Sequence, residues 1–151
     1  MKYFSPLFPF LLGWVLLLYT ETFASISLIN GLSHLLLFAL VVCLPIWRTG
    51  RMSYVDIGWP WGVALIGILT WCYGESDSIR IMAISIMYIL IGGRMGLGSL
   101  KMWSLGMLNK EFPRYEYQKQ RWQRAGKNNT ALAMQIDAIL QGLANASFLA
   151  M

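Results

Sequence analysis

The sequence predicts an all-α protein, a polytopic transmembrane helical bundle of about five spans with an amphipathic interfacial segment between spans four and five. Three observations favour this fold. Of the 151 residues, 57% are hydrophobic and only 13% are charged, about half the charged fraction of a soluble domain. The apolar residues form long blocks, as in membrane spans. Seven of the 12 lysines and arginines lie between Lys101 and Lys127. Such a cluster is typical of a cytoplasmic loop beside a membrane rather than of nucleic-acid binding.

Five apolar segments are expected to form the spans of this single membrane domain, residues 1–151. They run from about Phe4 to Tyr19, Ser27 to Trp47, Trp59 to Tyr73, Ile79 to Leu100, and Ala131 to Met151. A span needs about 20 residues, so segments two and four suffice, and the shorter segments one and three depend on tryptophans and tyrosines at the membrane interface. Segment one has an alternative interpretation as a secretory signal peptide, with "TFAS" as the cleavage site.

The distribution of basic residues predicts the orientation. With five spans, the N-terminus, residues 48–56 and the loop 101–130 share one side, which holds Lys2, Arg48, Arg51 and the seven basic residues of the loop. The other side holds Arg80 together with three acidic residues. The positive-inside rule then places the N-terminus and both basic loops in the cytoplasm. The expected location is the inner (cytoplasmic) membrane.

Two charged residues in or beside the spans are candidates for chemistry. Arg94 lies inside segment four, where an arginine costs about 2.5–3.5 kcal/mol on insertion scales and needs a partner, water or a headgroup. It either snorkels to the inner headgroups or contacts an anion inside the bundle. Asp56 lies at the cytoplasmic start of segment three. It either caps that helix or pairs with Arg94 in the same leaflet, and the two roles are compatible.

The glycines around Arg94 and the basic loop each carry two interpretations. Gly92 and Gly96 form a GxxxG pattern, which favours close helix packing over a phosphate-binding loop. The loop "NKEFPRYEYQKQRWQRAGK" interleaves aromatic and basic residues, which predicts an amphipathic helix in the headgroup plane that Pro113 restarts or bends. This helix would bind anionic lipid or, through its forked arginine donors, a phosphorylated cofactor.

The remaining polar residues of the apolar segments give weaker indications. Asp137 and Gln141 share a helix face in segment five, and a buried acid in a membrane helix suggests a site. Cys43 and Cys72 are expected to be inert thiols, and the single histidine, His34, makes a metal site improbable.

Three stretches together resemble one family, the DUF1295 proteins, which are relatives of the steroid 5-alpha reductases. "YVDIGWPWG" resembles the V-D-x-x-W-G-x-G signature, and "GGRMGLG" resembles the R-L-G segment of the following helix. "KEFPRYEYQKQRW" resembles the E-D-x-R-Y stretch and the basic run behind it. The similarity covers about residues 53–124, in the family's order and spacing. Pro60 stands where the family usually has glycine, and Phe112 where it usually has aspartate.

The resemblance implies an integral membrane oxidoreductase that uses NADPH from the cytosolic side to reduce a C=C bond beside a carbonyl in a lipid-like or sterol-like substrate. It places Asp56, Trp59 and Gly62 on the first motif, Arg94 on the second, and Glu111, Arg114 and Tyr115 on the third. The implied catalytic residues are Asp56 and Arg94. The implied cofactor contacts are Arg114, Tyr115 and Arg121, and the substrate contacts are Trp59 and Trp61.

One segment of the family is missing from this sequence. Nothing resembles the C-terminal S-R-H-P-N-Y run that builds most of the family's cofactor site. We therefore expect the chain to be an N-terminal portion that binds NADPH weakly alone, with the C-terminal portion as a partner if it is encoded separately. The alternative is a non-catalytic helical membrane protein whose basic 101–127 loop binds anionic lipid or a partner chain.

Overall fold

The computed structural model describes residues 7–19, 24–74 and 79–147, and these residues form helices joined by short turns. The all-α prediction is confirmed for this part of the chain. The seven α-helices are α1 (Leu7–Tyr19), α2 (Ala24–Phe38), α3 (Leu44–Thr49), α4 (Val55–Tyr73), α5 (Ile79–Ser104), α6 (Pro113–Arg124) and α7 (Thr130–Ala146). A π-helical turn, Ala39–Cys43, joins α2 to α3, and 3₁₀ turns occupy Met52–Tyr54 and Met107–Asn109.

Three stretches of the described chain are long and apolar enough to cross a membrane. They are Ser25–Thr49, Met52–Tyr73 and Ile79–Ser104, and they correspond to the predicted segments two, three and four. The helices of segments one and five, α1 and α7, have 13 and 17 residues, which is short for a span. Residues 1–6, 20–23, 75–78 and 148–151 lie outside the described residues. The predictions for Lys2, the start of the "TFAS" site, the acidic residues of the far side and the end of segment five fall there.

The π-helical turn between α2 and α3 has a cause in the sequence. Pro45 is the second residue of α3 and has no backbone N–H, so it cannot donate to the carbonyl of Val41 as an α-helix requires. The helical turn at this point contains one residue more than an α-helical turn, and the N–H of Leu44 donates to the carbonyl of Ala39, five residues earlier. Such single π turns occur often beside functional sites.

Helices α4 and α5 pack closely through glycines, which confirms the prediction for Gly92 and Gly96. A methyl group added at Gly92 would lie 2.3 Å from the backbone nitrogen of Ala64 and 2.7 Å from the carbonyl oxygen of Pro60. At Gly96 the same methyl group would meet the indole ring of Trp61 at 2.8 Å. The two backbones approach closely because neither glycine has a side chain.

Helix α6 lies against the protein core. It begins at Pro113, as the sequence predicts, because proline fits the first helical position. Tyr115 and Trp122 are buried in a core cluster with residues of the first two candidate spans, among them Phe38 and Met52. The apolar face of α6 is therefore occupied by the protein itself. Its location in the headgroup plane remains a prediction.

The glycine contact generates a matched test. Gly92→Ala should lower the free energy of unfolding by about 1–3 kcal/mol, the usual cost of overpacking, because the methyl group meets backbone atoms that cannot move aside. Gly93→Ala should be neutral or slightly stabilising, since nothing lies within 4 Å of that position and alanine favours helix. Thermal unfolding of both variants in detergent checks the difference. Equal effects of the two substitutions would contradict the close packing.

Candidate functional site

Glu111 holds the segment after α5 against the beginning of α4. Its carboxylate accepts hydrogen bonds from the backbone N–H groups of Met52 (2.9 Å) and Ser53 (3.0 Å) and from the Ser53 hydroxyl (2.7 Å). Lys119 of α6 forms an ion pair with the same carboxylate at 2.6 Å, and only 8% of the Glu111 side chain is exposed. One carboxylate thus joins the start of α4, the segment before α6, and α6 itself.

The contacts of Glu111 favour its charged form. Burial opposes ionisation, but the hydrogen bonds from Lys119, Ser53 and Met52 outweigh it, so the pKa of Glu111 lies below its ordinary value of 4.5. Lys119 also donates to the carbonyl of Gly50 at 2.7 Å. The turn between α3 and α4 is therefore tied to the same cluster.

Asp56 is joined to Arg114 and Tyr115 across the gap between α4 and α6. Arg114 forms a hydrogen-bonded ion pair with Asp56 Oδ1, and the phenol of Tyr115 donates to the same oxygen at 3.0 Å. The guanidinium of Arg114 also lies over the Tyr115 ring, 4.8 Å from its centre. Burial and the Asp56 carboxylate raise the pKa of Tyr115 above its ordinary value, so the phenol keeps its proton at neutral pH.

This arrangement answers what Asp56 does in the first turn of α4. No side chain caps that helix at its N-cap residue, Tyr54. Glu111 binds the free N–H groups just before it, and the Asp56 carboxylate is turned to Arg114 and Tyr115 instead. The sequence placed Asp56 and the Arg114–Tyr115 stretch on one side of the membrane, and the structure brings them into contact.

A cleft of about 680 Å³ opens beside this group, within the size range of small-molecule sites. Its charged edge is formed by Asp56 and Arg114, and most of its wall is apolar. The wall residues come from the start of α4, the end of α5 and the segment before α6: Trp59, Pro60, Met95, Gly98, Ser99, Met102, Phe112 and Pro113.

Trp59 is held in the cleft wall by a chain of hydrogen bonds from α7. Its indole N–H donates to Gln141 Oε1 at 2.9 Å, and Gln141 Nε2 donates to Asp137 at 2.8 Å. Asn145 Nδ2 donates to the Trp59 carbonyl at 2.8 Å. Asp137 and Gln141 do share a helix face, as predicted. Their role in the structure is to fix the orientation of a cleft residue.

Trp61 and Arg94, a predicted substrate contact and a predicted catalytic residue, do not line the cleft. The indole ring of Trp61 packs on Gly96, because residues two apart on a helix point to different faces. Arg94 is exposed on α5, about 15 Å from the helix end at Ser104 by helical rise. Asp56 pairs with Arg114 and not with Arg94, which makes no ion pair with any described residue. The cleft-facing residues of α5 begin at Met95, about 100° around the helix from Arg94.

Arg121 and Arg124 are exposed in the last turn of α6. Seven residues separate Arg114 from Arg121, so the two lie on nearly the same helix face about 10 Å apart. Tyr115 is buried and its hydroxyl is engaged with Asp56. It therefore belongs to the cleft group and not to an exposed phosphate-binding surface.

Sequence reasoning missed most of the supporting residues. Glu111 carried a signal, since it stands in the third motif, but the partners Ser53 and Lys119 did not. Gln141 and Asn145 were visible only as polar residues in an apolar segment. Among the described residues, no three metal-ligating side chains cluster.

A second polar group is buried between α2, α4 and α7. The nitrogens of the His34 ring lie 3.0 Å from the carbonyl of Asn30 and 3.2 Å from that of Gly62. Asn30 Nδ2 donates to the carbonyl of Ala146 at 2.8 Å. His34 thus links α2 to α4, and Asn30 links α2 to α7, through backbone carbonyls.

Comparisons of the chain with protein-family models, with curated proteins and with solved structures find no match. The resemblance to the reductase family therefore stays a prediction based on the three motifs.

The Glu111 cluster makes stability depend on pH. Glu111→Gln should lower the free energy of unfolding at pH 7 by about 2–3 kcal/mol, the usual worth of hydrogen bonds to a charged group. Because the folded-state pKa of Glu111 is depressed, its contribution is complete above pH 4.5 and is lost as the pH falls through the folded-state value. The difference between wild type and variant should shrink accordingly.

Thermal unfolding in detergent from pH 7 to pH 3 measures this difference. Glu116→Gln, an exposed acid in the same helix as Lys119, is the matched control and should leave stability within about 0.5 kcal/mol. A wild-type advantage over Glu111→Gln that stays constant down to pH 3 would contradict the assigned role.

Proposed function

We propose that the protein binds a lipid-like carbonyl compound in the cleft beside Asp56, Arg114 and Tyr115, and that NADPH reduces a C=C bond of this compound. The observation that carries the proposal is the hydrogen-bonded group of these three residues at the edge of a mostly apolar cleft. Such a site suits an amphipathic ligand with one polar end. Because the cleft lies where two membrane-length helices end, such a ligand would reach it from the bilayer.

The residues of the group suit a carbonyl oxygen. Arg114 carries five N–H donors, and Asp56 occupies only part of them. The phenol of Tyr115 donates its single proton to Asp56, so the free donors of the group belong to Arg114. A carbonyl oxygen that accepts from these donors would lose electron density, and so would a C=C bond conjugated with it. Asp56, held by Tyr115, would keep the Arg114 guanidinium in position. Arg94 does not line the cleft. It would contact the ligand, as its proposed catalytic role requires, only if the ligand extends along α5.

The basic face of α6 fits the phosphates of a dinucleotide. Arg114 and Arg121 present two guanidinium groups about 10 Å apart on nearly the same face, and planar guanidinium groups bind phosphate oxygens in pairs. Bound NADPH would supply the hydride. The described residues contribute the phosphate contacts and the carbonyl-binding group.

A second candidate function rests on the charge of the same loop. Lys110, Arg121 and Arg124 are exposed and form no ion pair with another described residue. A non-catalytic protein would use them to hold anionic lipid or a partner chain. That binding would weaken steeply with salt, because surface charges are screened.

The phenol of Tyr115 provides the sharpest test of the cleft. Tyr115→Phe keeps the buried ring but removes the hydrogen bond through which Tyr115 steadies Asp56 and Arg114. It should weaken binding of a sterol with a 4-en-3-one group about five- to tenfold, the worth of one hydrogen bond. Binding of the matching sterol without the ketone should not change. The binding of both labelled sterols to the wild-type protein and the variant in detergent is measured at equilibrium. Equal effects on the two sterols would contradict the carbonyl contact.

NADPH binding is measured in the same preparation through the fluorescence of the dinucleotide. Arg114→Gln should reduce it at least tenfold, and Arg124→Gln much less, since charge-assisted contacts to phosphate are worth about 1.5–3 kcal/mol. If the chain binds no dinucleotide, the reductase function is wrong. Vesicle binding lost equally in Lys110→Gln, Arg114→Gln and Arg124→Gln would favour the second candidate.

We further propose that α1 and α7 complete a five-span bundle in the inner membrane with the N-terminus in the cytoplasm. The three membrane-length stretches alone put the α3–α4 turn and residues 105–127 on one side and the α4–α5 turn on the other. The many basic residues of the first side favour the cytoplasm for it.

A native cysteine tests this orientation. Cys72 is exposed at the α4–α5 end of the bundle, so a membrane-impermeant maleimide should label it in intact cells. In a Cys72→Ser background, Lys110→Cys should be labelled only in inverted vesicles. Cys43, half-buried between helices, serves as the slow-reacting internal reference. Labelling of Lys110→Cys from outside would reverse the proposed orientation.

A further inference from the structure

A second groove runs between α2–α3 and α7, apart from the cleft beside Asp56. Its outer part, about 530 Å³, lies at the end of α3, and its walls include Trp47, Gly50 and Leu132. Its inner part, about 170 Å³, is a narrower slot whose walls include Gly31 and Gly142. The two parts share three residues, Ala39, Cys43 and Gln135. The two parts therefore adjoin at the π-helical turn, and we treat them as one groove.

The length of the groove matches one leaflet of a membrane. Sixteen residues separate Trp47 at the outer end from Gly31 at the inner end, which is about 24 Å at 1.5 Å per residue. Half of a bilayer with its headgroup region measures about 20–22 Å. The helical stretch that forms this wall, Ser25–Thr49, is itself one of the three long enough to cross a membrane. A lipid standing in the leaflet would lie along the groove.

The interior of the groove is apolar although polar residues border it. Both nitrogens of the His34 ring lie within 3.2 Å of backbone carbonyls, and Gln135 Nε2 donates to the carbonyl of Cys43 at 3.0 Å. Most other wall residues of the slot are apolar, among them Leu35 and Phe38. The inner slot therefore suits a hydrocarbon chain.

Two arginines adjoin the wall residues at the outer end of the groove along the chain. Arg48 lies between the wall residues Trp47 and Gly50, and Arg51 follows Gly50 directly. Neither arginine forms an ion pair with an acid of the described chain. Lys119, which binds the carbonyl of Gly50, is already neutralised by Glu111. The side chain of Trp47 is 80% exposed, as expected for a tryptophan at a membrane interface.

We infer that this groove binds one anionic membrane phospholipid, with an acyl chain between α2 and α7 and the phosphate at Arg48 and Arg51. The hydrocarbon slot, the length of one leaflet and the pair of unneutralised arginines all select the same occupant. A neutral lipid would fill the slot equally well but would leave the two arginines without a counter-charge. The groove is thus a lipid site separate from the proposed substrate cleft.

The outer end is tested first, at an exposed and a half-buried arginine that both lie outside the buried core. Protein in detergent is titrated with phosphatidylglycerol or with phosphatidylcholine of the same chains, and bound lipid is counted by native mass spectrometry. Arg48→Gln and Arg51→Gln should each weaken phosphatidylglycerol binding about fivefold, the weight of one basic residue beside an anionic surface. Phosphatidylcholine binding should change little. Arg80→Gln, at an exposed arginine that belongs to neither proposed lipid-binding surface, is the charge-matched control and should change neither.

The inner slot is tested by filling it. Ala39→Phe places a ring where the two parts of the groove meet and should abolish retention of both lipids, whereas Leu40→Phe, at an exposed neighbour outside the groove, should not. Circular dichroism and thermal unfolding check that both variants fold. Unchanged lipid retention in a folded Ala39→Phe protein overturns the inference. So does loss of phosphatidylglycerol that is equal for Arg48→Gln and Arg80→Gln. The arginine variants decide the question if Ala39→Phe fails to fold.

Discussion

The Glu111 carboxylate is the constraint on which the candidate site depends. It satisfies the backbone N–H groups that precede α4 and pairs with Lys119, and this contact brings the segment before α6 onto the beginning of α4. A buried carboxylate with four donors is strongly held, because removing any partner leaves a charge without compensation. Arg114 and Tyr115 follow Glu111 within one helical turn. They can reach Asp56 only because Glu111 has already set the position of α6.

The close contact of α4 and α5 sets the distance between the two helices that line the cleft. The glycines at 92 and 96 allow the two helices to approach until a methyl group would not fit between them. This spacing places the Met95 side of α5 beside Trp59, while hydrogen bonds from α7 keep the indole in one orientation. The cleft is therefore formed by three helices whose separations are set by small residues and by polar side chains with defined partners. Both kinds of contact are most effective where water is absent.

The candidate site could be predicted in part. The three motifs contain Asp56, Arg114 and Tyr115, which the structure brings into contact, and Trp59, which lines the cleft beside them. Arg94 and Trp61 belong to the same motifs but do not line the cleft, since their positions depend on how each helix is rotated about its axis. Gln141 and Asn145 contact Trp59 across more than 80 residues of chain. No local pattern in a single sequence indicates which residues so far apart will meet.

The sequence by itself determined that the protein is helical, that three of its helices are long and apolar enough for a membrane, and that the GxxxG pair packs against another helix. These properties follow from the composition, from the length of the apolar segments and from the absence of a side chain in glycine, all of which are local. Only the tertiary structure decided that Asp56 pairs with Arg114 and not Arg94, and that the apolar face of α6 packs on the protein core. It also decided that a groove opens between α2 and α7. Each of these outcomes depends on helix rotation and on contacts between distant segments, which are set by packing and not by any one stretch of the chain.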